Sequence, residues 1–81
     1  MTLYEFNSLD IDLRAELCWS VGQFLTERVT DRKRSLFFRL FDFYVELGLN
    51  SGSDAVTEIV PFTEGDRYDR MVQSVGLGDL A

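Results

Sequence analysis

The sequence predicts an α+β domain of order α-β-β-β-α, a three-stranded antiparallel meander with two helices packed on one face. Three observations lead there. Apolar residues recur at helical spacing from Ser8 to Arg28, and large side chains alternate from Leu36 to Leu47 about a central Phe41–Asp42. Helix start and stop signals then flank the segment Glu64–Ser74. The 81 residues suit one domain, residues 1–81, near the lower size limit for a fold without staples.

The first helix is expected over Ser8–Arg28, with Asn7 or Ser8 as its cap and Asp10, Asp12 and Glu16 toward its positive end. At about 100° per residue, Leu13, Leu17, Cys18, Val21, Gly22, Phe24 and Leu25 fall on one broad arc. Asp12, Glu16, Ser20, Gln23 and Glu27 fall opposite. Arg14 points into the apolar arc and is expected to snorkel toward an acid. Trp19 projects near the edge of the polar face. As a boundary residue it would lie over a loop or the N-terminal "LYEF"; as an exposed ring it is a candidate interface anchor.

The run "VTDRKR" breaks this helix and brings Arg28, Arg32, Lys33 and Arg34 close together. A solvated loop that offsets nearby acids accounts for them better than a phosphate patch, since no Gly-rich phosphate loop accompanies them.

Placing Phe41 and Asp42 at the tip of a hairpin opposes Leu40 to Phe43, Arg39 to Tyr44, Phe38 to Val45, Phe37 to Glu46 and Leu36 to Leu47. Strand side chains alternate faces, so Leu36, Phe38, Leu40, Phe43, Val45 and Leu47 share one face. Phe37, Arg39, Tyr44 and Glu46 share the other, and a one-residue slip would mix the two sets. Phe41 is a poor residue for a two-residue primed turn, and a four-residue loop over Leu40–Phe43 keeps the same register.

"NSGSD" (Asn50–Asp54) is a turn, followed by a third strand over Ala55–Phe62. Either Val56, Val60 and Phe62 or Thr57 and Ile59 face the core there, and a bulge reconciles the two. Pro61 suits a strand end or an edge. The second helix, Glu64–Ser74, has Thr63 as its cap with Asp66 reaching back, and Tyr68, Met71, Val72 and Val75 at helical spacing. Gly76 is its expected stop, with Leu77 and Leu80 tucking the tail onto the domain.

Composition excludes several chemistries. One cysteine forbids an internal disulfide, and the absence of histidine removes the ordinary zinc and thiol–imidazole constellations. A net charge of −6 disfavours general binding to nucleic acid. The start "MTLYEFNSLDIDL" lacks the basic and apolar regions of a signal peptide, and no apolar run reaches membrane-span length, so a reduced cytoplasmic setting is expected. The carboxylate pairs Asp10/Asp12 and Asp66/Asp69 lie in helix first turns, where the dipole explains them. Glu46 stands mid-strand among rings. It is either an acid with a perturbed pKa, if covered, or a cross-strand partner for Arg39 or a base on a neighbouring strand. "SGSD" lacks the ligand count of a calcium site, and Cys18 suits a buried inert thiol. No catalytic, cofactor or metal residue is assigned, and a non-enzymatic role is expected.

The strings "YEFNSLD" (Tyr4–Asp10), "RAELCWSVGQFL" (Arg14–Leu25) and "FDFYVELGLN" (Phe41–Asn50), with Ile59, Phe62 and Tyr68 later, cover most of the chain. In them the chain resembles a family of short bacterial α-β-β-β-α proteins, of Bacteroidetes type, with no assigned function. The resemblance implies a bacterial cytoplasmic protein and carries over no activity. The chain departs from it at Gly48, where those proteins tend to have an aromatic residue.

With helices on one side only, Phe37, Phe41 and Tyr44 remain on the other, framed by Arg39, Glu46 and Glu58. An aromatic patch rimmed by charge, with Trp19 as a further anchor, suits a protein partner or a homodimer. An acidic inhibitor of the immunity or antitoxin kind, meeting a basic target, is the second reading. A small-molecule pocket between the first helix and the sheet is a distant third.

Overall fold

A computed structural model describes the backbone of residues 1–79 and the side chains of residues 1–75. The chain runs α1 (Leu3–Ser8), α2 (Ile11–Ser20), β1 (Gln23–Val29), β2 (Lys33–Leu40), β3 (Phe43–Asn50), β4 (Val56–Phe62) and α3 (Asp66–Asp79). It is an α+β fold whose antiparallel sheet has four strands in the order β1-β2-β3-β4, where three were expected.

The extra strand is taken from the expected first helix. α2 stops at Ser20 because Gly22 lies directly against the last helical turn: a Cβ there would stand 2.5 Å from the Cys18 carbonyl oxygen. Only glycine lets the chain leave the helix at that angle. Val21, Phe24 and Leu25 prolong the helical spacing by coincidence. Pairing Gln23–Val29 with β2 covers one edge of the strongest hydrophobic run in the chain. A bulge between Phe24 and Thr26 then puts Phe24 beside Phe38 on one face and Thr26 beside Phe37 on the other.

The N-terminal segment forms a helix of its own. Thr2 caps α1 in a reciprocal capping box with Glu5, and the Asp10 side chain caps α2 by accepting from the Leu13 amide at 2.9 Å. The cap is thus Asp10, and neither Asn7 nor Ser8. Arg14 meets no acid among the described residues; it donates to the Ile59 carbonyl at 2.7 Å and so ties α2 to β4. The expected clean apolar arc is also broken, since Leu17 and Cys18 pack inward while Leu13, Val21 and Phe24 are exposed.

The β2–β3 hairpin has the expected register at every pair from Leu36–Leu47 to Leu40–Phe43. Its turn is the tight Phe41–Asp42, with Phe41 at φ 55°. β4 joins β3 with Ile59 opposite Leu47 and Phe62 opposite Tyr44, and a register shift at Gly48/Leu49 supplies the bulge. Ile59 therefore faces the first sheet surface, and Phe62 the second. Pro61 is accommodated because β4 is an edge strand.

Both surfaces of this sheet are apolar, and each has its own cover. Leu36, Phe38, Leu40, Phe43, Val45, Leu47, Leu49 and Ile59 pack against Phe6 of α1 and Cys18 of α2. Phe37 and Phe62 pack against Met71 of α3, with Leu25, Tyr44 and Tyr68 around them. The two-helices-on-one-face arrangement is corrected here. A surface carrying Phe37, Tyr44 and Phe62 is too apolar to leave wet, and with α1 and α2 on the first face only α3 remains to cover it. The turn through Gly65, at φ 95°, brings the chain round, and α3 begins at Asp66, two residues past the expected start. Its backbone continues helical through Gly76 to Asp79, so Gly76 is no stop. The packing expected of Leu77 and Leu80 lies outside the described residues.

Candidate functional site

The six residues marked by the sequence separate into three places. Phe37, Tyr44 and Glu46 lie beneath α3, the first and third buried and Tyr44 half-buried. Arg39 is exposed at the end of the same face, and Phe41 stands alone at the hairpin tip, half-exposed, its ring 6.1 Å from that of Phe43. Trp19 lies on the opposite side of the sheet. The contiguous aromatic patch of Phe37, Phe41 and Tyr44 therefore does not form.

Glu46 is an ion-pair centre. Its Oε2 accepts from the Ser35 hydroxyl at 2.8 Å and lies 3.5 Å from Lys33 Nζ. Its Oε1 is 3.3 Å from Arg67 Nε and 3.7 Å from Arg70 Nη2, without a hydrogen bond of good geometry to either. Glu58 joins the cluster by pairing with Lys33 and, at 3.9 Å, with Arg67. The hydrogen bond between Lys33 and Glu58 raises the Lys33 amine above its ordinary pKa and lowers the Glu58 carboxyl below its own. Gly48 makes this crossing possible. A Cβ there would stand 3.0 Å from Glu58 Cγ and 3.1 Å from Lys33 Cε, so an aromatic side chain at that position would have to displace the pair.

Lys33 and Arg34 are thus strand residues with partners, Arg34 pairing with Glu27 across the β1–β2 ladder. Of the readings open for Glu46, the base on a neighbouring strand is the one the fold supplies, as Lys33, and Arg39 is not its partner. At 2% exposure the carboxylate is closed to a substrate, and its geometry makes it a clamp between β3 and α3.

The exposed aromatic surface is at the junction of α2 and β1. Trp19 is 60% exposed and Phe24 is 55% exposed. Both stand edge-on to the buried Phe38, with ring centroids 5.3 and 5.8 Å from it. Between them runs a groove of about 510 Å³, floored by Leu36, Phe38 and Gly22 and ended by the Glu27–Arg34 pair. Cys18 borders it, but burial pushes its thiol up to about 11, leaving it protonated and unreactive at neutral pH. Beside the groove, β1 is the outermost strand, and among the described residues no strand pairs with its far edge. Trp19 was legible in the sequence as an off-pattern ring. Phe24 was not, since its helical projection places it in the core. The signal that could have exposed it is the Val21–Gly22 break.

Among the described residues, no helix is long and apolar enough to cross a membrane. Comparison with protein-family models, curated proteins and solved structures finds no match in any of the three.

Proposed function

We propose that this chain is a small non-enzymatic interaction module whose contact surface is the Trp19–Phe24 groove together with the free edge of β1. The observation that carries this reading is two large rings, each more than half exposed, clasping a buried third beside the outer edge of β1, which pairs with no strand among the described residues. Tryptophan and phenylalanine are costly to leave in water and are enriched at interface centres. An open strand edge next to an apolar groove suits an extended segment. Its backbone would add to the sheet while alternate side chains enter the groove. A second copy of this chain and a different protein both meet that description.

The test is the size of the protein in solution across concentration and salt, with Trp19→Ser and Phe24→Ser in parallel. A concentration-dependent dimer lost in both variants supports self-association. A monomer that captures a protein from host lysate, with capture lost in both variants, supports a different partner. A monomer whose captured proteins are the same in wild type and variants sinks the reading.

A further inference from the structure

The surface beneath α3 is divided along its length. The charged cluster of Glu46, Glu58, Lys33, Arg67 and Arg70 occupies the end near the start of β2. At the other end, Arg39 lies in a cross-sheet row between Gln23 and Tyr44, with Phe62 beyond Tyr44. There a cavity of about 390 Å³ opens between the sheet and α3, within the size range of sites for small organic molecules.

Its apolar wall is Leu25, Met71, Val72 and Val75, and its aromatic wall is Tyr44 and Tyr68, whose ring centroids are 5.6 Å apart. Arg39 lines the same space and makes no ion pair among the described residues. This sets it apart from Arg34, which lines the groove on the opposite sheet face but is held by Glu27. The two carboxylates under α3, Glu46 and Glu58, are already neutralised by their own bases. A guanidinium with no ion-pair partner among the described residues, at the edge of an aromatic and aliphatic cavity, suits an anion with a flat apolar body.

The geometry points to a binding site for a small aromatic carboxylate, its carboxylate paired with Arg39 and its ring against Tyr44 and Tyr68. The site is on the opposite sheet face from the Trp19–Phe24 groove, so it stands or falls apart from the interaction reading.

Amide NMR of the ¹⁵N-labelled full chain, titrated at neutral pH with 2-naphthoate and separately with uncharged 2-naphthamide, tests it. Saturable shifts at Gln23, Leu25, Tyr44 and Met71 are expected with naphthoate, and weaker binding with the amide. Arg39→Gln changes an exposed side chain and should leave the fold intact. It should weaken naphthoate at least about tenfold, as expected for a charge-assisted contact, and leave the amide unchanged. Val72→Trp, which narrows the mouth from an exposed position, should weaken both. The proposal is overturned by the absence of saturable shifts up to the solubility limit. Equal affinity of naphthoate for wild type and Arg39→Gln overturns it too, as do shifts confined to Trp19 and Phe24.

Discussion

Glu46→Gln tests what the buried carboxylate contributes to holding α3 on the sheet. Glutamine keeps the shape and can still accept from the Ser35 hydroxyl, so the substitution removes the charge and turns an amide NH2, in place of an acceptor oxygen, toward Arg67 and Arg70. The carboxylate is buried, with bases at 3.3, 3.5 and 3.7 Å. At an effective dielectric constant of about 20, one unit pair near 3.5 Å is worth about 5 kcal/mol before desolvation. Most of that does not survive as net stability. The side chains of Lys33, Arg67 and Arg70 are 41%, 38% and 39% exposed, so water and salt screen them and solvate them when Glu46 is lost. The carboxylate also no longer has to be desolvated. A net loss of about 2 kcal/mol follows, between a surface pair and a fully buried one. For a domain of this size that lowers Tm by about 8–16 °C. Thermal and urea unfolding followed by circular dichroism measure it, with Glu58→Gln, at a more open position, losing less than about 1 kcal/mol. A Glu46→Gln protein within 2 °C of wild type, or a larger loss from Glu58→Gln, would refute the clamp.

Two further substitutions probe the local geometry. Gly22→Ala drives a methyl group against the Cys18 carbonyl, a backbone atom that cannot yield, and should cost about 2–3 kcal/mol in urea unfolding. A cost below 0.5 kcal/mol by that measure would mean that the helix end tolerates a side chain. Phe41→Asn replaces a residue at φ 55° with one that tolerates the left-handed region, and should raise stability by about 1 kcal/mol despite losing the contact with Phe43. An unchanged or lower midpoint would show that the Phe41 ring outweighs the backbone cost.

The hairpin from Leu36 to Leu47 was legible in the sequence pair by pair, because alternation has a period of two and any slip exposes the whole core set. The helix over Ile11–Ser20, though not the separate Leu3–Ser8 helix before it, was legible from its helical spacing, and the turn at Asn50–Asp54 from its run of turn-forming residues. The length of the first helix was not. Val21, Phe24 and Leu25 fit a helix as well as a strand, and the choice is made by Gly22 against Cys18 and by the pairing of Gln23–Val29 with β2, which sets Phe24 opposite Phe38.

The candidate surface followed from the same limit. Periodicity placed Phe37, Tyr44 and Glu46 on one sheet face, and so they are. Whether that face is wet depends on where a helix from the far end of the chain lies, and no local pattern carries that information. By itself the sequence determined an α+β chain, the register of its central hairpin and the division of that hairpin's rings between two faces. Only the tertiary structure decided that α3 crosses to the second face, because a sheet apolar on both sides needs a cover on both. That decision buried Phe37 and Glu46 and left Arg39 beside a cavity, while the helix end at Gly22 left Trp19 and Phe24 exposed together on the first face.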